Sequence, residues 1–214
     1  MILDKHAGIF AAGEGSRLQA AYPGVPKPLV PICGKPLIEW TVRLLTQAGV
    51  EHITVLLNTK SKAAREHLKK TFPAVKFVFI VKDTKSSYES FRLVAQTLSE
   101  ESDKFVMSAV DSLYDPLDLR EFMDYAGQTK FDAALGITDS IVDEKPLWAD
   151  TDETAREMPE PSKYTALRQY LSDLVGGGKT VMSALIPQSV DVDDTDDIKL
   201  AEEFIAKHFE RTTL

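Results

Sequence analysis

Several residue patterns that decide function in other proteins are absent from this sequence of 214 residues. Cys33 is the single cysteine, so the chain can form no internal disulfide bond. The four histidines, His6, His52, His67 and His208, show no spacing typical of metal ligands. No combination of serine, histidine and aspartate suggests a hydrolytic triad. Disulfide frameworks, histidine metal centres and triad chemistry are therefore excluded as the basis of function.

Basic residues are also in the minority, with 25 Lys and Arg against 33 Asp and Glu, for a net charge of −8. This balance argues against nucleic-acid binding, which requires a basic face. Local cations and a metal can still attract a triphosphate. No apolar run approaches the roughly 18 residues of a membrane span, and Asp4 and Lys5 precede any long apolar run. We therefore expect a cytoplasmic protein that binds neither nucleic acid nor a membrane.

Apolar, β-branched runs alternate with helical segments along most of the chain. We expect strands at 6–12, 52–57, 75–81, 104–110, 132–138 and 180–186, and helices at 36–48, 61–71, 86–98, 117–128 and 163–175, with a last helix ending near 209. This alternation predicts an α/β protein with three α/β/α layers and a mostly parallel, mixed sheet. We expect one domain over residues 1–214, in which the acidic segment 139–162 forms a lid or an acceptor-binding excursion.

The first strand runs into a glycine-rich loop that ends at Arg17. Glycines permit positive φ and close approach of a ligand, and free N–H groups in such a loop suit anions. Arg17 adds a planar cation, and Lys27 follows on a proline-rich arm that we expect to be extended and stiff. Leu18 excludes the dinucleotide fingerprint and Asp173 excludes a Walker A loop. The glycines alone are equally compatible with an ordinary strand-to-helix turn.

The longer pattern is more specific. The stretches AAGEGSRL at 11–18, PKPLVPI at 26–32 and GKPL at 34–37 resemble the signature of the sugar-phosphate nucleotidyltransferases. These enzymes belong to a larger group with a Rossmann-like, GT-A-like fold that includes the MobA-like enzymes. The resemblance implies transfer of a nucleoside monophosphate from an NTP to a phosphorylated small acceptor, a sugar 1-phosphate, with release of pyrophosphate. The nucleotide-binding residues that we expect are Ala11, Ala12, Gly13, Glu14, Gly15, Ser16, Arg17 and Ser87, with Ser86 as the alternative to Ser87.

Such a reaction requires positioned cations and, in this family, Mg²⁺ held by carboxylates. Arg17 is expected to hold the leaving β- and γ-phosphates, and Lys27 the α-phosphate or the acceptor phosphate. Asp111, at the end of an apolar strand, is the first candidate metal ligand, although aspartate also suits a turn there. Asp193 is the second and is favoured over Asp191, although acidic residues also suit the start of the following helix, where Thr195 is expected to be the cap.

Other functions remain open at this point. The acceptor can be a non-sugar compound, phosphocholine-like or the molybdenum cofactor. The chain can also be a nucleotide-binding regulatory module without catalysis, although Arg17, Lys27, Asp111 and Asp193 argue against that. An oligomer is compatible with the sequence.

Overall fold

The computed structural model describes residues 5–137 and 147–209, with the stretch 147–153 described by its backbone. In chain order the strands are β1 (His6–Ala11), β2 (Pro31–Ile32), β3 (Lys35–Pro36), β4 (His52–Leu57), β5 (Lys76–Val81), β6 (Lys104–Ala109), β7 (Ser112–Tyr114), β8 (Ala133–Ile137), β9 (Leu147–Thr151), β10 (Val181–Leu185) and β11 (Ser189–Asp191). The helices are α1 (Leu37–Gln47), α2 (Lys62–Thr71), α3 (Ser87–Leu98), α4 (Pro116–Gln128), α5 (Asp152–Arg156), α6 (Leu167–Gly176) and α7 (Thr195–His208).

Seven of these strands form one sheet within the described residues, in the order β10-β8-β9-β6-β1-β4-β5. Strand β9 runs antiparallel to both of its neighbours, and the remaining pairs are parallel. Two short antiparallel pairs, β11-β7 and β2-β3, lie beside it. The predicted mostly parallel, mixed sheet is confirmed.

Two buried apolar clusters lie on opposite faces of the sheet, because successive strand residues point to opposite sides. Strand β1 contributes Ala7, Ile9 and Ala11 to one cluster, while Phe10 packs against the other. The first cluster includes apolar residues of α1, α2, α4 and α7, and the second includes those of α3, α5 and α6. The three-layer α/β/α arrangement is therefore confirmed.

All six expected strands form, each within a residue or two of its expected ends. The helix expected at 163–175 is α6, which begins later than expected, at Leu167. Ala166 is extended, with φ of −144°, and the side-chain oxygen of Gln169 accepts the backbone N–H groups of Thr165 and Ala166. These bonds fix the helix start at Leu167, whereas apolar periodicity locates only the helix body.

The segment 139–162 was expected to form a lid or an acceptor-binding excursion. Residues 138–146 lie outside the described residues. Leu147–Thr151 forms β9, which lies inside the sheet between β6 and β8, and α5 follows it. A strand with two neighbours is stabilised by pairing on both edges, and its five residues mix strand-favouring Trp148 and Thr151 with Ala149 and Asp150, which strands disfavour.

The proline-rich arm also differs from the extended segment that was expected. It contains short 3₁₀ turns at Ser16–Ala20 and Lys27–Leu29, followed by the β2-β3 hairpin. Proline supplies the φ that such turns use, so the arm is stiff without being extended. Among the residues that the structure describes, no helix is both long and apolar enough to cross a membrane.

Candidate active site

A cavity of about 820 Å³ lies at the edge of the sheet where the parallel strands end. Ligands of parallel α/β sheets bind at this edge. Strands β1 and β6 are in register, with Phe10 opposite Ala109, so the loops that follow them emerge side by side. The predicted site residues that line the cavity are Ala12, Gly13, Glu14, Gly15, Ser16, Arg17, Lys27, Ser87, Asp111 and Asp193. Ala11 is buried at the end of β1, with its side chain in the first apolar cluster.

The glycine-rich loop packs directly against Lys27. Gly15 adopts left-handed backbone angles, with φ of 62° and ψ of 44°. A Cβ atom built on Gly15 would lie 2.6 Å from Cβ of Lys27, so the loop and the lysine pack directly against each other. On the strand side, the amide of Asn58 donates to the carbonyl of Ala12 at 3.2 Å. The loop is therefore held at both ends, by Asn58, directly after β4, and by Lys27.

Lys27 is buried, with 5% of its surface exposed. Its Nζ donates to Oδ2 of Asp111 and to Oδ1 of Asp193, each at 2.5 Å. The two carboxylates are 84 and 166 residues away along the chain. Buried ammonium groups require such partners, because an uncompensated buried charge is costly. The candidate catalytic lysine and the two candidate metal ligands thus form one ion-pair network.

Asp111 is placed by contacts of its own backbone and of its neighbour. The hydroxyl of Thr41 on α1 donates to the carbonyl of Val110 at 2.8 Å, and the N–H of Val192 donates to the carbonyl of Asp111 at 2.9 Å. Behind this turn the buried hydroxyl of Tyr114 donates to Oγ of Ser108 at 2.5 Å. The contacts from Thr41 and Val192 could not be predicted from the sequence, because these residues lie far from Asp111 along the chain.

A third carboxylate belongs to the same cluster. One carboxylate oxygen from each of Asp111, Asp191 and Asp193 lies within 4.8 Å of the other two. Asp191 reaches the cluster because β11 pairs with β7, which sets Asp191 opposite Ser112. The hydroxyl of Ser112 donates to Oδ1 of Asp191 at 3.3 Å. From the sequence, Asp193 was favoured over Asp191 as the second metal ligand. In the structure both carboxylates lie in the same cluster, so one does not exclude the other.

The acidic run before α7 divides into two groups. Asp194, and not Thr195 as expected, is the N-cap: its side chain accepts the N–H groups of Asp196 and Asp197. The side chain of Asp197 in turn accepts the N–H groups of Asp193 and Asp194, both at 2.8 Å. An extended aspartate directly before the first helical residue satisfies two helix N–H groups, which a threonine one residue later does not. Capping thus occupies Asp194 and Asp197, while the Asp193 side chain joins the Lys27 network.

Arg17 lies at the mouth of the cavity. Its side chain is 72% exposed, and Nη1 is 3.8 Å from Oδ2 of Asp193. An exposed pair at this distance contributes little to stability. The guanidinium is therefore able to turn towards an anion in the cavity at small cost.

The wall opposite the glycine-rich loop is formed by the segment between β5 and α3. Ser86 accepts the N–H of Glu89 at 3.1 Å, as expected for a cap of α3. The N–H of Lys85 and the ammonium of Lys82 both bond to the carboxylate of Glu89, and they hold the pKa of that carboxyl below its usual range. Ser87 Oγ accepts the N–H of Leu167 at 3.0 Å, so Ser87 joins this wall to the start of α6.

Sequence reasoning missed part of the cavity lining. Thr84 and Lys85 come from the segment between β5 and α3, and Ser90 comes from the first turn of α3. Ala166, Leu167, Arg168 and Leu171 come from the start of α6. Ser86 and Ser87, which were expected in the nucleotide site, belong to the same segment as Thr84 and Lys85. Helix α6 is brought there by aromatic packing of Tyr88 with Tyr164 and Tyr170, and sequence pattern does not report such contacts.

Comparison with known proteins gives a match over most of the chain. The family described as the MobA-like NTP transferase domain matches residues 7–179. A bifunctional IPC transferase and DIPP synthase from Rubrobacter xylanophilus is 31% identical over 151 residues, which is 70% of this chain and 31% of that protein. A bifunctional sugar-1-phosphate nucleotidylyltransferase/acetyltransferase from Sulfurisphaera tokodaii is 37% identical over 81 residues, which is 38% of this chain and 20% of that protein. The chain thus matches less than a third of the length of each of these curated relatives.

Solved structures resemble almost the whole chain. The inositol-1-phosphate CTP transferase from T. maritima has a TM-score of 0.77 at 18% identity, covering 94% of this chain and 96% of its own. HddC from Yersinia pseudotuberculosis, complexed with GMP-PN, has a TM-score of 0.72 at 18% identity, covering 96% of this chain and 100% of its own. At these identities the likeness establishes a shared fold.

Proposed function

The chain belongs to the MobA-like NTP transferase family, and we propose that it transfers a nucleoside monophosphate from an NTP to a phosphorylated small acceptor. The acceptor that we propose is a sugar 1-phosphate. The names of two similar proteins, a sugar-1-phosphate nucleotidylyltransferase and an inositol-1-phosphate CTP transferase, support an acceptor of this class. The observation that carries the proposal is the network in which Lys27 joins Asp111 and Asp193 at the floor of the cavity.

In the proposed reaction a phosphate oxygen of the acceptor attacks the α-phosphorus of the NTP. The bond from the α-phosphorus to the oxygen that bridges to the β-phosphate breaks, and its electron pair leaves with pyrophosphate. The attacking phosphate is already an anion, so the protein needs no strong base. Its task is to align three anionic groups and to stabilise the charge of the transition state.

The lining residues supply cations on the two sides of this reaction. We assign Arg17, at the open mouth, to the leaving β- and γ-phosphates, because a planar guanidinium suits phosphate oxygens. Lys27, deeper in the cavity, is assigned to the α-phosphate or to the acceptor phosphate. The backbone groups from Ala12 to Ser16 face the same space and are assigned to the nucleotide.

The carboxylate cluster fits Mg²⁺, which prefers hard oxygen ligands and commonly uses one or two carboxylates together with substrate phosphates. Asp111 and Asp193 are the proposed ligands, and Asp191 lies close enough to support or join them. The bound ion would neutralise charge on the phosphates. Asp111 is buried at the end of β6, so the protein sets its position before any ligand arrives.

The test is a pyrophosphate-release assay of each NTP against a panel of sugar 1-phosphates, inositol phosphate and phosphocholine, with and without Mg²⁺. We expect one base and one acceptor class to give Mg²⁺-dependent release. Asp111→Asn should abolish turnover while the fold is kept. Asp194→Asn is the matched control, because asparagine caps helices as well as aspartate does and Asp194 serves as the cap of α7.

Two outcomes would contradict the proposal. Measurable NTP binding without pyrophosphate release from any pair would favour a regulatory nucleotide-binding module. Unchanged turnover in Asp111→Asn would remove that residue from the metal site.

A further inference from the structure

The ammonium group of Lys27 stands where a metal ion would bind. Its Nζ bonds to Oδ2 of Asp111 and Oδ1 of Asp193, the two carboxylates proposed above as Mg²⁺ ligands. Oxygen ligands lie about 2.0–2.1 Å from Mg²⁺. A metal ion held by the same two carboxylates would stand close to the ammonium, and two like charges close together in a buried site repel strongly.

We propose that Lys27 serves as a built-in counter-cation that keeps a divalent metal out of the site until the nucleotide binds. In the nucleotide-free protein its ammonium neutralises Asp111 and Asp193. When the nucleotide enters, its phosphates attract the ammonium into the cavity, and the carboxylates then bind the metal. This inference rests on the proposed function, because it requires these aspartates to hold a metal during the reaction.

Burial makes the exchange conditional on both ligands. The side chains of Lys27 and Asp111 are 6% and 11% exposed. If the lysine left alone, the buried carboxylate of Asp111 would lose the charge of its lysine partner, which is costly. If the metal entered alone, it would meet the ammonium. Metal and phosphates together replace both halves of the ion pair, so each raises the affinity of the other by the same factor.

The geometry lets the ammonium move while its attachment stays fixed. Cβ of Lys27 packs against Gly15, where an added Cβ would come within 2.6 Å, so the base of the side chain is confined. Beyond it, the lysine has a flexible four-carbon stem with rotatable donors. Because Lys27 lines the cavity, its ammonium can turn from the carboxylates towards a phosphate without a change in the backbone.

The first test measures Mn²⁺ binding without nucleotide by calorimetry. Lys27→Gln removes the competing charge, and Lys35→Gln is the control, since Nζ of Lys35 stands over the ring of Trp40, 5.2 Å from its centroid. We expect Lys27→Gln to bind Mn²⁺ between about 10-fold and 100-fold more tightly than the wild type, the factor that corresponds to one charged hydrogen bond. Lys35→Gln should match the wild type. Equal or weaker Mn²⁺ binding by Lys27→Gln overturns the inference.

The second test uses the wild-type protein and does not depend on whether the variant folds. With ¹⁵N-labelled lysine, a buried and hydrogen-bonded ammonium gives its own resolved NMR signal. We expect the Lys27 signal to shift when Mg²⁺ and a non-hydrolysable NTP are both saturating, and to persist at the same Mg²⁺ concentration alone. A signal that stays unchanged with both ligands bound overturns the inference.

Failure of this inference can be told apart from failure of the proposed function. If the nucleotide-loaded wild type binds Mn²⁺ and Asp111→Asn does not, the metal site stands. A lack of gain in Lys27→Gln then rejects the counter-cation alone. If the nucleotide-loaded wild type and Asp111→Asn bind Mn²⁺ equally, the metal assignment itself fails and the counter-cation fails with it.

Discussion

Replacement of Gly15 by alanine should destabilise the protein, and replacement of Gly13 should not, although the two glycines belong to one loop. Gly15 has φ of 62°, and a Cβ there would stand 2.6 Å from Cβ of Lys27 and 3.2 Å from its Cγ. Ordinary van der Waals contact begins near 3.4 Å. The obstructing atom is the first carbon of the side chain and cannot swing away. The loop or the Lys27–Leu29 turn must therefore shift.

The size of the effect follows from two terms. A left-handed conformation costs an L-residue other than glycine about 1–2 kcal/mol. Forcing a methyl group into a packed site costs about 1–3 kcal/mol. We expect Gly15→Ala to lose about 2–5 kcal/mol of unfolding free energy, a large part of the 5–15 kcal/mol typical of a folded protein.

Gly13→Ala is the matched control. A Cβ on Gly13 would meet no atom of the described residues within 4 Å, and Gly13 is not among the glycines with positive φ. A compatible glycine-to-alanine change stabilises by about 0.4–1 kcal/mol, because it restricts the unfolded chain. The two substitutions should therefore change stability in opposite directions.

The assay is urea unfolding of the nucleotide-free protein followed by circular dichroism. With a slope of about 2 kcal/mol per molar urea, a loss of 3 kcal/mol lowers the midpoint by about 1.5 M. A Gly15→Ala protein with the wild-type midpoint would show that loop and lysine do not press on each other, and would refute the reasoning. A Gly13→Ala protein as unstable as Gly15→Ala would show that the loop rejects any side chain.

Three further substitutions test separate parts of the structure. Lys27→Ala should lower the rate of pyrophosphate release about 10²-fold or more, and an effect below about threefold would remove Lys27 from the reacting phosphates. Asp191→Asn should raise the Mg²⁺ concentration needed for half the maximal rate on the order of 10-fold, because loss of a residue that supports a metal site weakens metal binding by about that factor. An unchanged Mg²⁺ requirement would show that Asp191 does not support the metal. Burial raises the pKa of Tyr88 from its ordinary value near 10 to about 12, so the stability that this residue contributes below pH 10 should be lost as pH rises through 12. Tyr88→Phe lacks the ionisable hydroxyl and should therefore lose less unfolding free energy than the wild type between pH 8 and pH 12. Equal losses in both proteins would contradict this.

The parallel strands of the sheet were predictable because each is a mostly apolar run bounded by turns. His52–Leu57 and Lys104–Ala109 are examples whose limits the structure matches closely. Strand β9 was not predictable, since Leu147–Thr151 has neither a long apolar run nor strict alternation. Its strand conformation comes from pairing with β6 and β8, which lie far apart from each other in the chain.

The residues of the candidate site were predictable one by one, but their connections were not. Lys27, Asp111 and Asp193 were each selected for local reasons: a loop motif, a strand end and an acidic run. Their ion pairs span 84 and 166 residues, and sequence pattern carries no information on such distances. The sequence therefore assigned Lys27 to phosphate and the aspartates to metal, without the direct contact that makes these two roles compete.

The residue type alone could not show why each of the two loop positions, Gly13 and Gly15, requires a glycine. From the sequence, positive φ and close approach of a ligand were equally good reasons for either residue. The structure separates them, because the protein itself excludes a side chain at Gly15 through Lys27, while no described atom obstructs one at Gly13. The remaining reason for a glycine at position 13 is that this residue lines the cavity. One glycine thus makes room for the lysine and the other keeps the cavity open. A Gly13→Ala protein that is stable but binds NTP weakly would demonstrate this division.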